Sequence, residues 1–209
     1  MKLLAISDLH GDEQFLDHLR SHLATNRYDA IFTAGDIEGH SYAEDLLDLL
    51  SGIKTFAVPG NMDSKDVIDL LDERNVLIEG RREKLGDWYV AGVGGGLPSP
   101  FNTVNERTEE EIREQLNKAK IDEYTILITH APPYGVMDDP VEGVNIGSKS
   151  IRDTILQKKP LLNVCGHVHE RQGQKMLGET LVVKLGPAKN MMVAIIEIKD
   201  SIDVTFMGI

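Results

Sequence analysis

KLLAISDLH, residues 2–10, decides how the rest of the chain is read. A short apolar run, KLLAIS, is fit for a buried strand, and it ends abruptly at Asp8, with His10 two residues later. DEQFLDHLRSHL (12–23) then places Phe15, Leu16, Leu19 and Leu23 on one helical face. The unit repeats. DAIFTAG (29–35) is a strand ending at Asp36, followed by a helix over SYAEDLLDLL (41–50) with Ser41 as its expected cap. KTFAVPG (54–60) is a strand ending at Asn61, followed by a helix over SKDVIDLLDE (64–73). Strands alternating with helices at this spacing predict a parallel sheet with right-handed crossovers.

The middle of the chain changes character. VLIEG (76–80), REKLG (82–86) and WYVAGVGG (88–95) read as consecutive short strands, and the loop GGGLPSPFNT (94–103) follows. Thr108 caps a helix whose first turn is Glu109, Glu110 and Glu111, as the helix dipole favours. YTILITH (124–130) is a strand, residues 131–147 are a long loop, Ser148 starts a helix, and PLLNVCG (160–166) is another strand. The tail, MLGETLVVKLG (176–186) and MMVAIIEIKDSIDVTFMGI (191–209), reads as antiparallel strands. The expected fold is α/β: two mixed β-sheets packed face to face, with helices outside.

With 209 residues, 41% hydrophobic and 27% charged, the chain suits one soluble domain over residues 1–209. Its net charge of −12, without a Lys/Arg run, argues against long nucleic acid as a partner. The single Cys165 fits a reducing compartment, MKLLAISD reaches an Asp too early for a signal peptide, and no apolar run approaches a membrane span. A cytoplasmic location is expected. The composition is compatible with a homodimer.

Five strands end in polar donors: Asp8 and His10, Asp36, Asn61, His130, then His167 and His169. Ligands bind at the carboxyl edge of an α/β sheet, so these seven side chains are expected to meet there. Taken singly, an Asp or Asn after a strand is a turn or cap residue, and a lone His is a hydrogen-bonded one. Asp8-Leu9-His10 and His167-Val168-His169 each aim two side chains the same way, and together the set argues for metal. Imidazole and carboxylate without thiolate favour Mn, Fe, Zn, Co or Ni over Ca. Two divalent ions carry four positive charges, of which Asp8 and Asp36 cancel two. The remainder suits a hydroxide and an anionic phosphoryl group.

These residues resemble the calcineurin-like metallophosphoesterase family. Its pattern appears as DLH (8–10), GD (35–36), GNMD (60–63), TH (129–130) and GHVH (166–169). The loop 94–103 and the segment IGSKSIRD (146–153) resemble the branch related to cyclic-nucleotide phosphodiesterases. The resemblance implies a four-layer αββα sandwich. It implies one ion held by Asp8, His10, Asp36 and His169, and a second by Asp36, Asn61, His130 and His167, with Asp36 as bridge and Mn2+ as the first choice of metal. It also implies that a hydroxide between the ions attacks the phosphorus of a small phosphodiester or phosphomonoester, making all seven residues catalytic.

The departure is Met62, where most of the family has a His that protonates the leaving oxygen; a thioether does neither half of that task. The alternative is a non-catalytic metal-binding scaffold, for which the family has a precedent in a retromer subunit. His40 is the nearest spare acid in sequence, though an ordinary helix-start role accounts for it, and capping of the helix near Ser64 accounts for Asp63. The loop 131–147 reads as either a lid or plain decoration. The helix start at Ser148, with Lys149 and Arg152 near, suits an anion or a plain cap. Gly94–Gly96 reads as a turn, Lys189 as solvated, His18 and His22 as a solvated face, and Cys165 as a small buried hydrophobe.

Overall fold

The computed structural model describes residues 1–209. Eleven strands and five α-helices follow in the order β1 (Lys2–Ile6), α1 (Glu13–Thr25), β2 (Ala30–Thr33), α2 (His40–Leu49), β3 (Thr55–Ala57), α3 (Lys65–Glu73), β4 (Arg82–Leu85) and β5 (Trp88–Val93). Then come α4 (Glu109–Lys118), β6 (Thr125–Thr129), α5 (Lys149–Lys158), β7 (Leu162–Cys165), β8 (Gly173–Leu177), β9 (Thr180–Lys184), β10 (Met192–Ile198) and β11 (Ile202–Gly208).

Both sheets are mixed. The first has the order β11-β10-β1-β2-β3, with β1, β2 and β3 parallel and β10 and β11 antiparallel. The second has the order β4-β5-β6-β7-β9-β8, parallel from β5 to β9 with antiparallel edges. The period of two along each strand builds the layers. Leu3 and Ala5 of β1 join Phe32, Phe56, Ile126 and Val164 in the core between the sheets. Leu4 and Ile6 face the other way, against Phe15 and Leu19 of α1 and Leu46 of α2. Leu127 and Cys165 pack outward beneath Ile112 of α4 and Ile151 and Ile155 of α5. Helices, sheet, sheet and helices therefore stack as the expected sandwich. No helix is long and apolar enough to cross a membrane.

Four sequence expectations need correction. VLIEG is not a strand: Leu77 bridges to Ala57 of the first sheet and Glu79 to Gly92 of the second, so the segment crosses between sheets and pairs one residue with each. The tail is not wholly antiparallel, because β9 runs parallel to β7. Ser41 does not cap α2, which starts one residue earlier behind Gly39 at φ 81° without a side-chain cap. Asp63 does not cap α3 either; Ser64 is the N-cap residue, and the Asp63 carboxylate is engaged elsewhere.

Candidate metal centre

The carboxyl ends of β1, β2 and β3 meet those of β6 and β7, and the seven expected donors all follow these strands. The loops are tied to one another by backbone. Leu9 and His10 donate N–H groups to the Asp36 carbonyl (2.7 and 2.9 Å), and Gly166 donates to the His130 carbonyl (3.0 Å). The His167 N–H donates to both Asp8 oxygens (3.0 and 3.1 Å). Asp8, His10, Asp36 and His167 hold positive φ angles of 54°, 48°, 53° and 76°, in the left-handed region that L-residues avoid. Two glycines make room for the carboxylates. A Cβ on Gly60 would lie 1.9 Å from Asp36 Oδ1, and one on Gly166 would lie 2.7 Å from Asp8 Oδ2.

The donor atoms converge in two overlapping groups, Asp8–His10–His169 and Asp8–Asp36–His130. His10 Nε2 lies 3.2 Å from His169 Nε2, and His169 Nε2 lies 3.3 Å from Asp8 Oδ1. Asp36 Oδ2 stands between the groups, 3.8 Å from His10 Nε2 and 3.5 Å from His130 Nε2. Asn61 Oδ1 is 2.8 Å from His130 Nε2, and the His167 ring packs edge-on against His130 with centroids 4.9 Å apart. All seven expected residues are thus brought to one place.

His130 carries the test of whether a cation fits. Its Nδ1–H donates to the Ala34 carbonyl (2.7 Å), which fixes the tautomer and leaves a lone pair on Nε2 in the neutral ring. That lone pair faces Asn61 Oδ1 and Asp36 Oδ2, both acceptors. A positive charge at this point, proton or metal ion, reconciles the three. Burial opposes a charge on His130, but Asp36 and Asp8 overcome it and push its pKa up to about 9. Burial also opposes ionisation of Asp8 and Asp36, yet the neighbouring histidines hold both carboxyls below the usual carboxylate range. Burial and the charge on His130 press His167 the opposite way, down to about 4. His10 repeats the pattern of a ligand oriented from behind, with Nδ1 3.0 Å from Glu38 Oε2 and Nε2 turned into the cluster.

Several supporting residues were not legible in the sequence. Asp63, fully buried, accepts from the N–H groups of Ile37 (2.9 Å), Glu38 (2.8 Å) and Gly60 (2.7 Å). It clamps the loop after Asp36 to the loop before Asn61. Asn105 donates its Nδ2–H to the Gly60 carbonyl (2.8 Å) and its backbone N–H to the Asn61 carbonyl (2.9 Å). Gly94–Gly96 is more than a turn: Cβ atoms on Gly94 and Gly96 would meet the Pro59 carbonyl at 2.3 Å and Asn61 Cβ at 2.9 Å. The glycines let this loop lie against the strand end that carries Asn61. Lys184 is fully buried on β9 and donates to the Leu185 carbonyl (2.6 Å). Burial lowers its pKa while Asp8 opposes the fall. The single charged residue inside the apolar run LVVKL was its only signal in the sequence.

Met62 is 39% exposed. Its backbone N–H donates to Asp36 Oδ1 (2.8 Å), so the position orients Asp36 whatever side chain it bears. His40 opens α2 and faces Glu44 and Asp66, at 3.8 and 3.9 Å. The α5 N-terminus is taken: Glu109 accepts from Ser148 Oγ (2.8 Å) and from the N–H groups of Lys149 (2.7 Å) and Ser150 (2.9 Å). A carboxylate of the chain itself thus fills the expected anion site. Lys189 is exposed and Cys165 buried, as read. His18 and His22 contact the Ile209 carbonyl and the Tyr28 hydroxyl.

Two mixed sheets between helix layers, with Asp and His donors where five parallel-type strands end, define the metallophosphoesterase sandwich. Residues 1–201 match the calcineurin-like phosphoesterase superfamily domain. Protein MJ1162 of Methanocaldococcus jannaschii is 36% identical over 202 residues, spanning 90% of this chain and 88% of that protein. The chain belongs to the calcineurin-like phosphoesterase superfamily. Its fold is similar to that of a dimetal phosphatase from Danio rerio, with a TM-score of 0.69 and 12% identity over 100% of this chain and 96% of that one. It is also similar to that of a novel archaeal phosphodiesterase, with a TM-score of 0.61 and 12% identity over 99% and 100% of the two chains.

Proposed function

We propose that the protein hydrolyses the phosphoester bond of a small phosphodiester or phosphomonoester with two divalent metal ions, Mn2+ being the first to test. Asp8, His10, Asp36 and His169 would hold one ion, and Asp36, Asn61, His130 and His167 the other. The observation that carries this reading is the acceptor-lined Nε2 of His130, a buried position that calls for positive charge. The place of Asp36 Oδ2, between one histidine of each set, supports its role as the bridge. When bound, such ions supply Lewis acidity toward phosphoryl oxygens and make water a competent nucleophile near neutral pH. The chain's own part is orientation. Glu38 and the Ala34 carbonyl fix the rings of His10 and His130, while Asp63 and Asn105 hold the loops of Asp36 and Asn61. Met62 supplies no proton, so leaving groups that depart with little protonation are favoured.

The dimetal phosphatase and the phosphodiesterase that share the fold agree with this activity. Membership of the branch related to cyclic-nucleotide phosphodiesterases, a cytoplasmic location and a small phosphorylated substrate, with long nucleic acid disfavoured by the net charge of −12, belong to the same proposal. The test is a metal-replete screen with Mn2+, Ni2+ or Co2+ against an aryl phosphodiester, an aryl phosphomonoester and cyclic nucleotides. Turnover of none of them by protein holding two ions per chain would refute it. That outcome would favour the metal-binding scaffold, the reading that Met62 supports.

A further inference from the structure

A cleft of about 610 Å3 opens from Asn61 and His167 and runs between the loop at 97–103 and the loop at 140–149. Leu97, Phe101, Tyr134 and Ile146 form an apolar part of its wall, beside the polar Ser99 and Asn145. Phe101 is 86% exposed and Ile146 37% exposed, although both loops are fastened. Glu106 Oε1 accepts from the backbone N–H and hydroxyl groups of Ser99 (3.2 and 2.9 Å) and Thr103 (2.9 and 3.1 Å). Buried Asp138 accepts from Asn145 Nδ2 (2.6 Å) and the Gly147 N–H (2.9 Å). Arg171 pairs with Asp139 on the same loop. Apolar side chains held open toward water on tethered loops are suited to a ligand rather than to a collapsed core.

Charge narrows the ligand. Lys149 is the one cationic side chain on the cleft wall, and its Nζ sits 5.4 Å from the centre of the Tyr134 ring. Glu109 lines the same wall as a carboxylate. A second phosphate or a polyanionic chain would find little to neutralise it, whereas a flat, uncharged ring would be covered on two sides.

We propose that this cleft binds the organic group of the phosphoester, and that the group is an uncharged aromatic or similarly apolar one. The phosphoryl end of this placement rests on the phosphoesterase reading above; the apolar end rests on the cleft alone. The test uses two diesters with one leaving group, phenyl p-nitrophenyl phosphate and methyl p-nitrophenyl phosphate, and the Mn2+-loaded protein. The phenyl ester should have a kcat/KM about tenfold higher, from the extra apolar area buried. Phe101→Ser and Ile146→Ser should each lower that ratio about threefold, and this comparison cancels the intrinsic reactivity of the two esters. A ratio that neither substitution changes would overturn the proposal while leaving the phosphoesterase reading intact. Should neither diester turn over, the monoester and cyclic-nucleotide arms of the screen decide the phosphoesterase reading, and calorimetry decides the cleft. Phenylphosphonate binding about tenfold tighter than methylphosphonate would sustain it, and equal affinity would overturn it.

Discussion

Replacing Asp63 tests the claim that the centre is preorganised by backbone clamps. Three N–H groups converge on its carboxylate, those of Ile37, Glu38 and Gly60, and the side chain has no exposure. Asp63→Ala removes the acceptor from all three. A buried donor left without a partner costs about 1–3 kcal/mol. The Glu38 N–H is only partly buried, so the sum is roughly 3–6 kcal/mol, a large share of the about 5–15 kcal/mol typical of a domain. Asp63→Asn gives a graded comparison. One amide oxygen can still accept from Ile37 and Glu38, but the NH2 would face the Gly60 N–H, donor against donor, costing about 1–3 kcal/mol. The assay is urea unfolding in chelator, so that metal affinity does not enter, followed by metal titration of whichever variants fold. Stability should fall in the order parent, Asn, Ala, and Mn2+ affinity should fall with it. An Ala variant within about 0.5 kcal/mol of the parent would refute the clamp, since surface substitutions scatter by that much.

Other predictions follow from the same geometry. Asp36→Asn should lower metal content toward zero ions per chain, whereas His10→Ala should leave about one; an Asp36→Asn protein still holding two ions by elemental analysis would remove Asp36 from the bridge. Hydrolysis rates should depend steeply on leaving-group pKa, aryl esters fast and alkyl slow. Met62→His should recover only part of the about 10²- to 10⁴-fold available from an acid, because Asp63 is already committed to three N–H groups and cannot orient the new ring. A shallow leaving-group dependence in the parent would show that another proton donor is present. In the metal-free protein, the His130 pKa is raised from 6.5 to about 9, so its contribution to stability is full below pH 6.5 and is lost as pH rises through 9. At about 1.4 kcal/mol per unit, that loss is at most roughly 3.5 kcal/mol. Chemical denaturation across this range should show the fall in chelator but not with Mn2+ bound; a flat profile in chelator would remove the paired charge on His130.

What the sequence carries and what it does not divides along a physical line. The strands and helices were readable because their signal is local: Leu3, Leu4, Ala5 and Ile6 serve two cores at period two, and Phe15, Leu16, Leu19 and Leu23 form one stripe of α1. The donor cluster was readable because each member follows a strand end, and parallel strands bring their ends to one edge. Long-range hydrogen bonds left no such trace. Glu38 behind His10, Asp63 between two loops and Glu109 on the α5 N-terminus depend on partners 28, 26 and 41 positions away. Ser41 misled for the opposite reason: a good cap by type sits one residue beyond the helix start, where Gly39 supplies the positive φ the turn needs.

The left-handed backbone at Asp8, His10, Asp36 and His167 sets fold and chemistry at odds. Each such residue costs about 1 kcal/mol or more relative to a conformation it prefers, and glycine would relieve the cost. Glycine at Asp8 or Asp36 would relieve that strain but leave the His167 or Met62 N–H without its acceptor, at about 1–3 kcal/mol, so the bonds that these side chains make hold the strained backbone in place. Improving the durability of this protein calls for changes confined to the outer helices.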